Sequence, residues 1–456
     1  MPRRVRPETQ WLTEAARTNL WLVPTAETLG AALLFAITRS VDSAAYYRGW
    51  HLPTWVIAGS ADGARQILTT LAAALITVVG VVFSIILVAL TLTSTQFGPR
   101  MLRNFIRDRG THWTLGTFVA TFVYAMLTLV AVGPGPKGDF VPHVSITAVL
   151  LLTLLDVGVL IYFIHHVAVM IQLPQVIAGI ARDLDQAVEN EMGAYNERSH
   201  ASAPEVDMLH GLMERNGAVV AAQRSGYLQF VRSTMLVDLA TAHDAVIKLN
   251  HRPGHFVVRG HPFLTVWPAA AAPEVERWLQ RAHITGPYRT LTQDVAFAVD
   301  QLVEIAIRAL SPAVNDTFTA LTCIDWLGAS LCRIATDWDP DPVSRDARGL
   351  VRLISAPVSY ERLVERAYEK IRQAAGAMPA VLIRQLDSLT LITRSTRRPE
   401  RLPVLLAQAQ MIHRLAKQTI AEPSDLTDIE RAYLELLALH PGERGRQDDG
   451  AATRSA

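Results

Sequence analysis

The hydrophobic positions fall into two regimes. Before Gln172 they run in long blocks, and after it they mix with polar positions as in a water-soluble fold. The clearest block, Gln66 to Pro99, is thirty-four residues without a charged side chain. A helix needs about 20 apolar residues to cross about 30 Å of hydrocarbon, and a soluble helix keeps a polar face. Length and internal position exclude a signal peptide. Gly110 to Pro136 is also free of charge, Phe140 to Ala181 holds only Asp156, and Thr18 to Thr38 holds only Glu27. The pattern predicts a transmembrane domain over 18–172 with spans at about 18–38, 67–95, 114–133 and 144–171, after a cytoplasmic N-terminus, 1–17.

Pro174 should end or kink the last span, and Gln175 to Glu197 reads as an amphipathic helix. With the polar linker Ser199 to Pro204 it connects the two regimes over 173–217. From Ala218 to Pro268 the period becomes two, with turn signals at Pro253-Gly254 and Gly260. A small β-barrel or barrel-sandwich is expected in this β-rich subdomain, 218–290. Lys248 falls inside a predicted strand, not at a hairpin tip, which excludes a lipoyl attachment role. From 291 to 440 the pattern is helical, with Glu304 and Arg308 spaced for an i,i+4 pair. Ser311 is expected to cap a new helix, with Pro312 at its first position and Asn315 and Asp316 in its first turn. The tail, 441–456, is too polar to pack. The predicted fold is thus a membrane protein: an N-terminal α-helical transmembrane bundle of about four spans, then a cytoplasmic α+β domain with a small β-barrel and a helical C-terminal part.

Composition agrees. The chain is 50% hydrophobic and 19% charged, against about 25% charge in an average soluble domain, and its mean hydropathy is +0.21. A net charge of +1 gives no global field for nucleic acid. Cys323 and Cys332, nine apart on a predicted helix, fall on opposite faces, which argues against a disulfide or metal pair. Arg3, Arg4 and Arg6, and Arg100, Arg103, Arg107 and Arg109 in the second loop, outweigh Lys137 in the third. Both termini should therefore be cytoplasmic, in a multi-pass protein of the cell inner membrane. Arg39, Arg48 and Arg65 run against that bias. Tyr46, Tyr47, Trp50 and Trp55 suit the outer interface.

The strings FGPRMLRNFIRDRG (97–110), GVLIYFIHHVA (158–168), GYLQ (226–229) and RALSPAVNDTFTALTCID (308–325) resemble a bacterial family of predicted membrane proteins, domain of unknown function twenty-two fifty-four. The resemblance covers roughly residues 15 to 435. It implies the same membrane topology, marks Ser311, Pro312, Asn315, Asp316 and Phe318 as motif positions, and implies no activity. Ala313 and Thr317 stand where the family usually has glycine and proline.

Thr70, Thr77, Ser84 and Thr91 recur at intervals of seven along the second span. Such a repeat marks one seam of a supercoiling helix, and in a symmetric oligomer each position becomes a ring of hydroxyls. The alternative is close helix packing through small hydroxyl residues. Asp156 and Glu27 are costly inside a membrane and fit a proton or cation relay; a protonated packing acid is the alternative. Ser145 shares a face with Asp156, and His165 lies opposite. Arg100, Arg103 and Arg107 share one helical face, suited to anionic lipid headgroups or a basic vestibule. Asp294, Asp300, Glu304, Asn315, Asp316 and Asp325 cluster in sequence, as caps and ion pairs or as a cation or small-ligand site. His165 and His166, as neighbours on a helix, cannot share a metal. No catalytic motif appears, and no cofactor or metal is expected. The expected function is an oligomeric channel or transporter with a cytoplasmic gating or sensing domain, whose partners are membrane lipids, further copies and an ion or small ligand. The alternative is a membrane-anchored scaffold or signalling protein.

Overall fold

The computed structural model describes residues 21–48, 50, 53, 56, 59–97, 108–195 and 203–439. They divide into two units, Met1–Gln175 and Val176–Ala456. Arg100, Arg103, Arg107, the N-terminus 1–17 and the tail 441–456 lie outside the described residues.

The first unit is built from α1 (Leu22–Arg48), α2 (Ala61–Phe97), α3 (Arg109–Ala131) and α4 (His143–Met170). Pro24 falls in the first turn of α1, where its missing N–H breaks no helical bond. α1 runs ten residues past the expected end, so Tyr46 and Tyr47 are helical. α3 is the central helix and packs on α1, α2 and α4. Asp108 starts it, accepting from the Thr111 N–H at 2.7 Å and the Thr111 hydroxyl at 2.9 Å. The same carboxylate meets His166 Nε2 at 2.9 Å, tying the start of α3 to the end of α4. A hairpin of β1 (Gly133–Gly135) and β2 (Gly138–Phe140) joins these two helices. The Tyr46 hydroxyl accepts from Lys137 N–H at 2.8 Å and donates to Gly138 O at 2.7 Å. The end of α1 is therefore stitched to the α3–α4 turn, so α1 and α3 run the same way, as the first and third of four successive spans must.

α2 meets its neighbours along Ala61, Leu68, Leu75, Val82 and Ala89, a buried seam at intervals of seven. Outward-facing positions are large and apolar: Leu151, Leu154, Leu155, Ile161 and Ile164 on α4, Ile76, Val81, Phe83 and Val88 on α2. On α3 and α4 Thr114, Thr121, Thr128, Ser145 and Asp156 point inward instead. An apolar outside around polar seams suits lipid, not water. Five described helices are long and apolar enough to cross a membrane, and four of them are α1 to α4.

α5 (Leu173–Tyr195) spans the boundary at Gln175, and α6 (Ala203–Asn216) follows in the second unit. Then come β3 (Ala218–Ala221), β4 (Gly226–Val231), α7 (Ser233–Ala242), β5 (Val246–Leu249), β6 (Phe256–Val257), β7 (Pro262–Trp267), α8 (Ala272–Ala282) and β8 (His283–Gly286). After α9 (Val295–Ala309) and α10 (Thr317–Asp337) the chain adds β9 (Val343–Arg345) and β10 (Val351–Ile354). It ends with α11 (Tyr360–Ala375), α12 (Pro379–Ser395), α13 (Leu402–Thr419) and α14 (Pro423–Leu437). The expected small β-barrel is not formed. One sheet has the order β3-β7-β5-β10-β9 and the other β6-β4-β8, so each keeps two edges, and a barrel has none. Helices close the core instead: Leu236 and Ala240 of α7 and Val275 and Leu279 of α8 pack with Ile247, Leu264 and Val266. β10 pairs in parallel with β5 from a region expected to be helical. Its four residues are all buried, too short a run for periodicity to separate strand from helix.

Ser311 is not the helix cap. It continues the end of α9, its hydroxyl donating to Arg308 O at 2.6 Å. Asn315 then adopts φ 51°, a left-handed conformation that Asn tolerates. Asp316 caps α10, accepting from Thr319 N–H at 3.1 Å. Pro312 therefore sits in the loop, not at a first helical position. α10 is the fifth apolar helix, and 56% of its most apolar window is buried, against 17% for α2. It is a core helix of the second unit: at Gly328 a Cβ would come within 2.2 Å of Ser388 Oγ on α12.

Candidate functional site

The central helix carries the polar chemistry of the bundle. Thr114, Thr121 and Thr128 recur at intervals of seven along α3, and all three are buried. This is the spacing noticed on α2, but here the hydroxyls face inward. On α2 itself Thr70, Thr77, Ser84 and Thr91 are exposed, because Thr70 is two residues, about 200°, from the buried Leu68. Thr70, Thr77 and Thr91 each donate at 2.8 Å to the carbonyl four residues earlier.

Three acids enter the bundle. Asp42, one turn beyond the buried Thr38 on α1, accepts from Val144 N–H at 2.8 Å, Ser145 N–H at 3.0 Å and the Ser145 hydroxyl at 2.7 Å. It covers orphan N–H groups of α4, where an anion suits the helix dipole. Ser145 Oγ lies 3.0 Å from the Thr38 hydroxyl, which lies 2.8 Å from the Tyr124 hydroxyl. A chain of three hydroxyls thus runs from a fully satisfied carboxylate to the central helix.

Asp156 is different. It is 2% exposed in the middle of α4, and Thr121 donates to its Oδ1 at 3.3 Å. Its Oδ2 has no hydrogen-bond partner among the described residues. Glu27 also has both carboxylate oxygens buried and without a hydrogen bond among the described residues. It presses on α3 at Gly116, where a Cβ would stand 2.0 Å from Glu27 Oε2. Glu27 and Asp42 are fifteen residues apart on one helix, about 22 Å along its axis. Acids at three positions and the inward hydroxyls of α3 therefore share one bundle interior. Such unpaired acids fit transient proton or cation binding.

Sequence reasoning named Glu27, Asp156 and Ser145 but missed Asp42, Thr38, Tyr124 and the α3 threonines. The spacing of Thr114, Thr121 and Thr128 was available; what was missing was which seam faces inward. His165 is exposed, and His166 stacks on Tyr162 and meets Asp108.

In the second unit the acids that cluster in sequence have partners: Asp294 and Asp300 share Arg289, while Asp316 and Asp325 have partners of their own. Asp294 caps α9 and is gripped by Arg289 at 2.7 and 2.9 Å. Asp300 takes Arg289 at 2.5 Å and Arg366 at 2.8 and 2.9 Å. Asp325 pairs with Arg384 at 2.9 Å, and Asp316 is a helix cap. Among the described residues no three His, Cys, Asp or Glu side chains are placed to hold a metal ion. Cys323 is buried and Cys332 partly so, both free thiols, and burial pushes both above the usual thiol value. In the motif loop Pro312, Ala313 and Val314 are exposed, and Phe318 is 83% exposed.

An uncharacterized protein of Mycobacterium bovis is 30% identical over 417 residues, covering 89% of this chain and 78% of its own length. An uncharacterized protein of Mycobacterium tuberculosis matches with the same identity and coverage. No solved structure matches. The model of the family described as Predicted membrane protein (DUF2254) matches residues 17–390, and this chain, with its four apolar helices around a polar interior, belongs to that family.

Proposed function

We propose that this is an oligomeric, channel- or transporter-like protein of the cell inner membrane that moves protons or small cations through the interior of its helical bundle. Both termini are cytoplasmic in this reading, and the second unit gates or senses. The observation that carries it is Asp156: an acid in mid-span, almost wholly buried, with one oxygen unpartnered among the described residues. An intramembrane acid without a counter-ion costs several kcal/mol and is a functional site by default. The outward hydroxyl face of α2 supports self-association, since small residues let helices approach closely. The test is ion flux in proteoliposomes. Wild-type protein should dissipate a proton or monovalent-cation gradient and Asp156→Asn should not; no flux from either refutes the reading.

A second conduit, lined by Thr70, Thr77, Ser84 and Thr91 at an oligomer axis, is favoured by the exposure of that face. It predicts that Ser84→Leu blocks flux and Asp156→Asn does not. A membrane-anchored scaffold without transport is favoured by the exposed Val314 and Phe318 of the motif loop. It predicts partner capture by full-length protein that Phe318→Ser abolishes, with no flux at all.

A further inference from the structure

Three arginines lie near one another in the second unit, and among the described residues only two of them pair with carboxylates. Arg289 fills Asp294 bidentately and reaches Asp300. Arg366 engages Asp300 through Nη1 alone, and its Nε is buried without a hydrogen-bond acceptor among the described residues. Arg252 comes from the loop between β5 and β6. No described carboxylate lies within 4.0 Å of it, although Asp294 and Glu191 are close enough to be felt electrostatically. The loop is held tightly over Asp294: at Gly254, φ 92°, a Cβ would fall 2.0 Å from Asp294 Oδ2.

The remaining acid does not balance the third arginine. Burial, and then the neighbouring Asp294, push the Glu191 carboxyl up to about 8. Burial, with Arg252, His251, Arg289 and Arg366 around it, pushes His255 down to about 4, so that ring is uncharged near neutral pH. Three guanidinium groups then stand beside two aspartates. A half-buried cation without a counter-ion is unfavourable. The unused Nε side of Arg366 is part of the edge with which a guanidinium grips a carboxylate or phosphate bidentately. A protonated Glu191 adds a hydrogen-bond donor, as neutral buried acids do beside oxyanions.

We propose that Arg252, the free edge of Arg366 and Glu191 form an oxyanion-binding site of the phosphate class in the second unit. It stands whether or not the bundle carries ions. At neutral pH a bound phosphate supplies the missing negative charge. As pH rises through the Glu191 midpoint, the new carboxylate competes for Arg252 and repels the ligand. Arg289, Asp294 and Asp300 are already paired with one another.

The test is thermal unfolding of full-length protein in zwitterionic-lipid nanodiscs, titrated with inorganic phosphate at mildly acidic pH. Wild type should show a saturable rise in melting temperature at concentrations up to about 10 mM, the signature of binding to the native state. Arg252→Gln, which breaks no ion pair, should melt normally without phosphate and lose the rise. Glu191→Gln should keep the rise and carry it unchanged through alkaline pH. A rise with free phosphate places the site on soluble ligands; one seen only with anionic-phospholipid nanodiscs, and still lost in Arg252→Gln, places it on lipid headgroups. An equal rise in Arg252→Gln, or none in either setting, overturns the proposal.

Discussion

The two units treat acidic side chains in opposite ways. In the second unit Asp294, Asp300 and Asp325 each have an arginine within 3.0 Å. In the bundle, Asp156 and Glu27 have no cation beside them among the described residues, and Asp42 accepts from N–H and hydroxyl groups. Where water can solvate arginine, ion pairs are the inexpensive way to hold a carboxylate. Inside lipid a second charge doubles the desolvation problem, so the chain uses neutral donors or leaves the acid unpaired.

That contrast can be broken at several points. The largest expected effect is on flux: Asp156→Asn should slow it by tenfold or more, since each factor of ten needs only about 1.4 kcal/mol, and should leave the helical circular dichroism unchanged. Next is Arg289→Ala, which strands the buried Asp294 and leaves Asp300 with Arg366 alone. Loss of one member of such a pair costs about 3–5 kcal/mol, read as a lower denaturant midpoint. Tyr124→Phe removes one link of the hydroxyl chain at Thr38 and should cost about 1–2 kcal/mol, read as a lower melting temperature in detergent. Arg384→Ala removes a half-exposed pair with Asp325 and should cost at most about 1 kcal/mol by the same melt.

The pH dependence also distinguishes the units. Glu191 has its folded-state pKa raised, to about 8 from 4.5. Its proton is thus held in the folded state after the unfolded chain has lost its own. Stability is full below the unfolded value and falls as pH rises toward 8. Glu191→Gln should flatten that slope in the melting of the second unit.

Hydropathy and charge made the bundle legible, because lipid demands uninterrupted apolar length and arranges the rest around it. The inward seam was not legible. Thr77 and Ser84 on α2 and Thr114 and Thr121 on α3 have the same spacing, and only packing decides that the first pair faces out. Asp42 escaped notice because α1 continues past its apolar block, and nothing local says that it caps a helix a hundred residues away. In the second unit the turns at Gly254 and Gly260 were readable, both with positive φ. Strand order was not, since β10 joins β5 from about a hundred residues downstream. The Asp316 cap was hidden by Ser311-Pro312, a stronger local signal that Asn315 overrides by reversing the chain.

The most direct test is water access to the two hydroxyl seams. In a Cys323→Ala, Cys332→Ala background, Thr121→Cys and Ser84→Cys would be exposed in proteoliposomes to a small charged thiol reagent. An interior path predicts labelling of Thr121→Cys, slowed by added permeant ion, and none of Ser84→Cys. Labelling of Ser84→Cys with Thr121→Cys untouched would move the path to an oligomer axis and contradict the account.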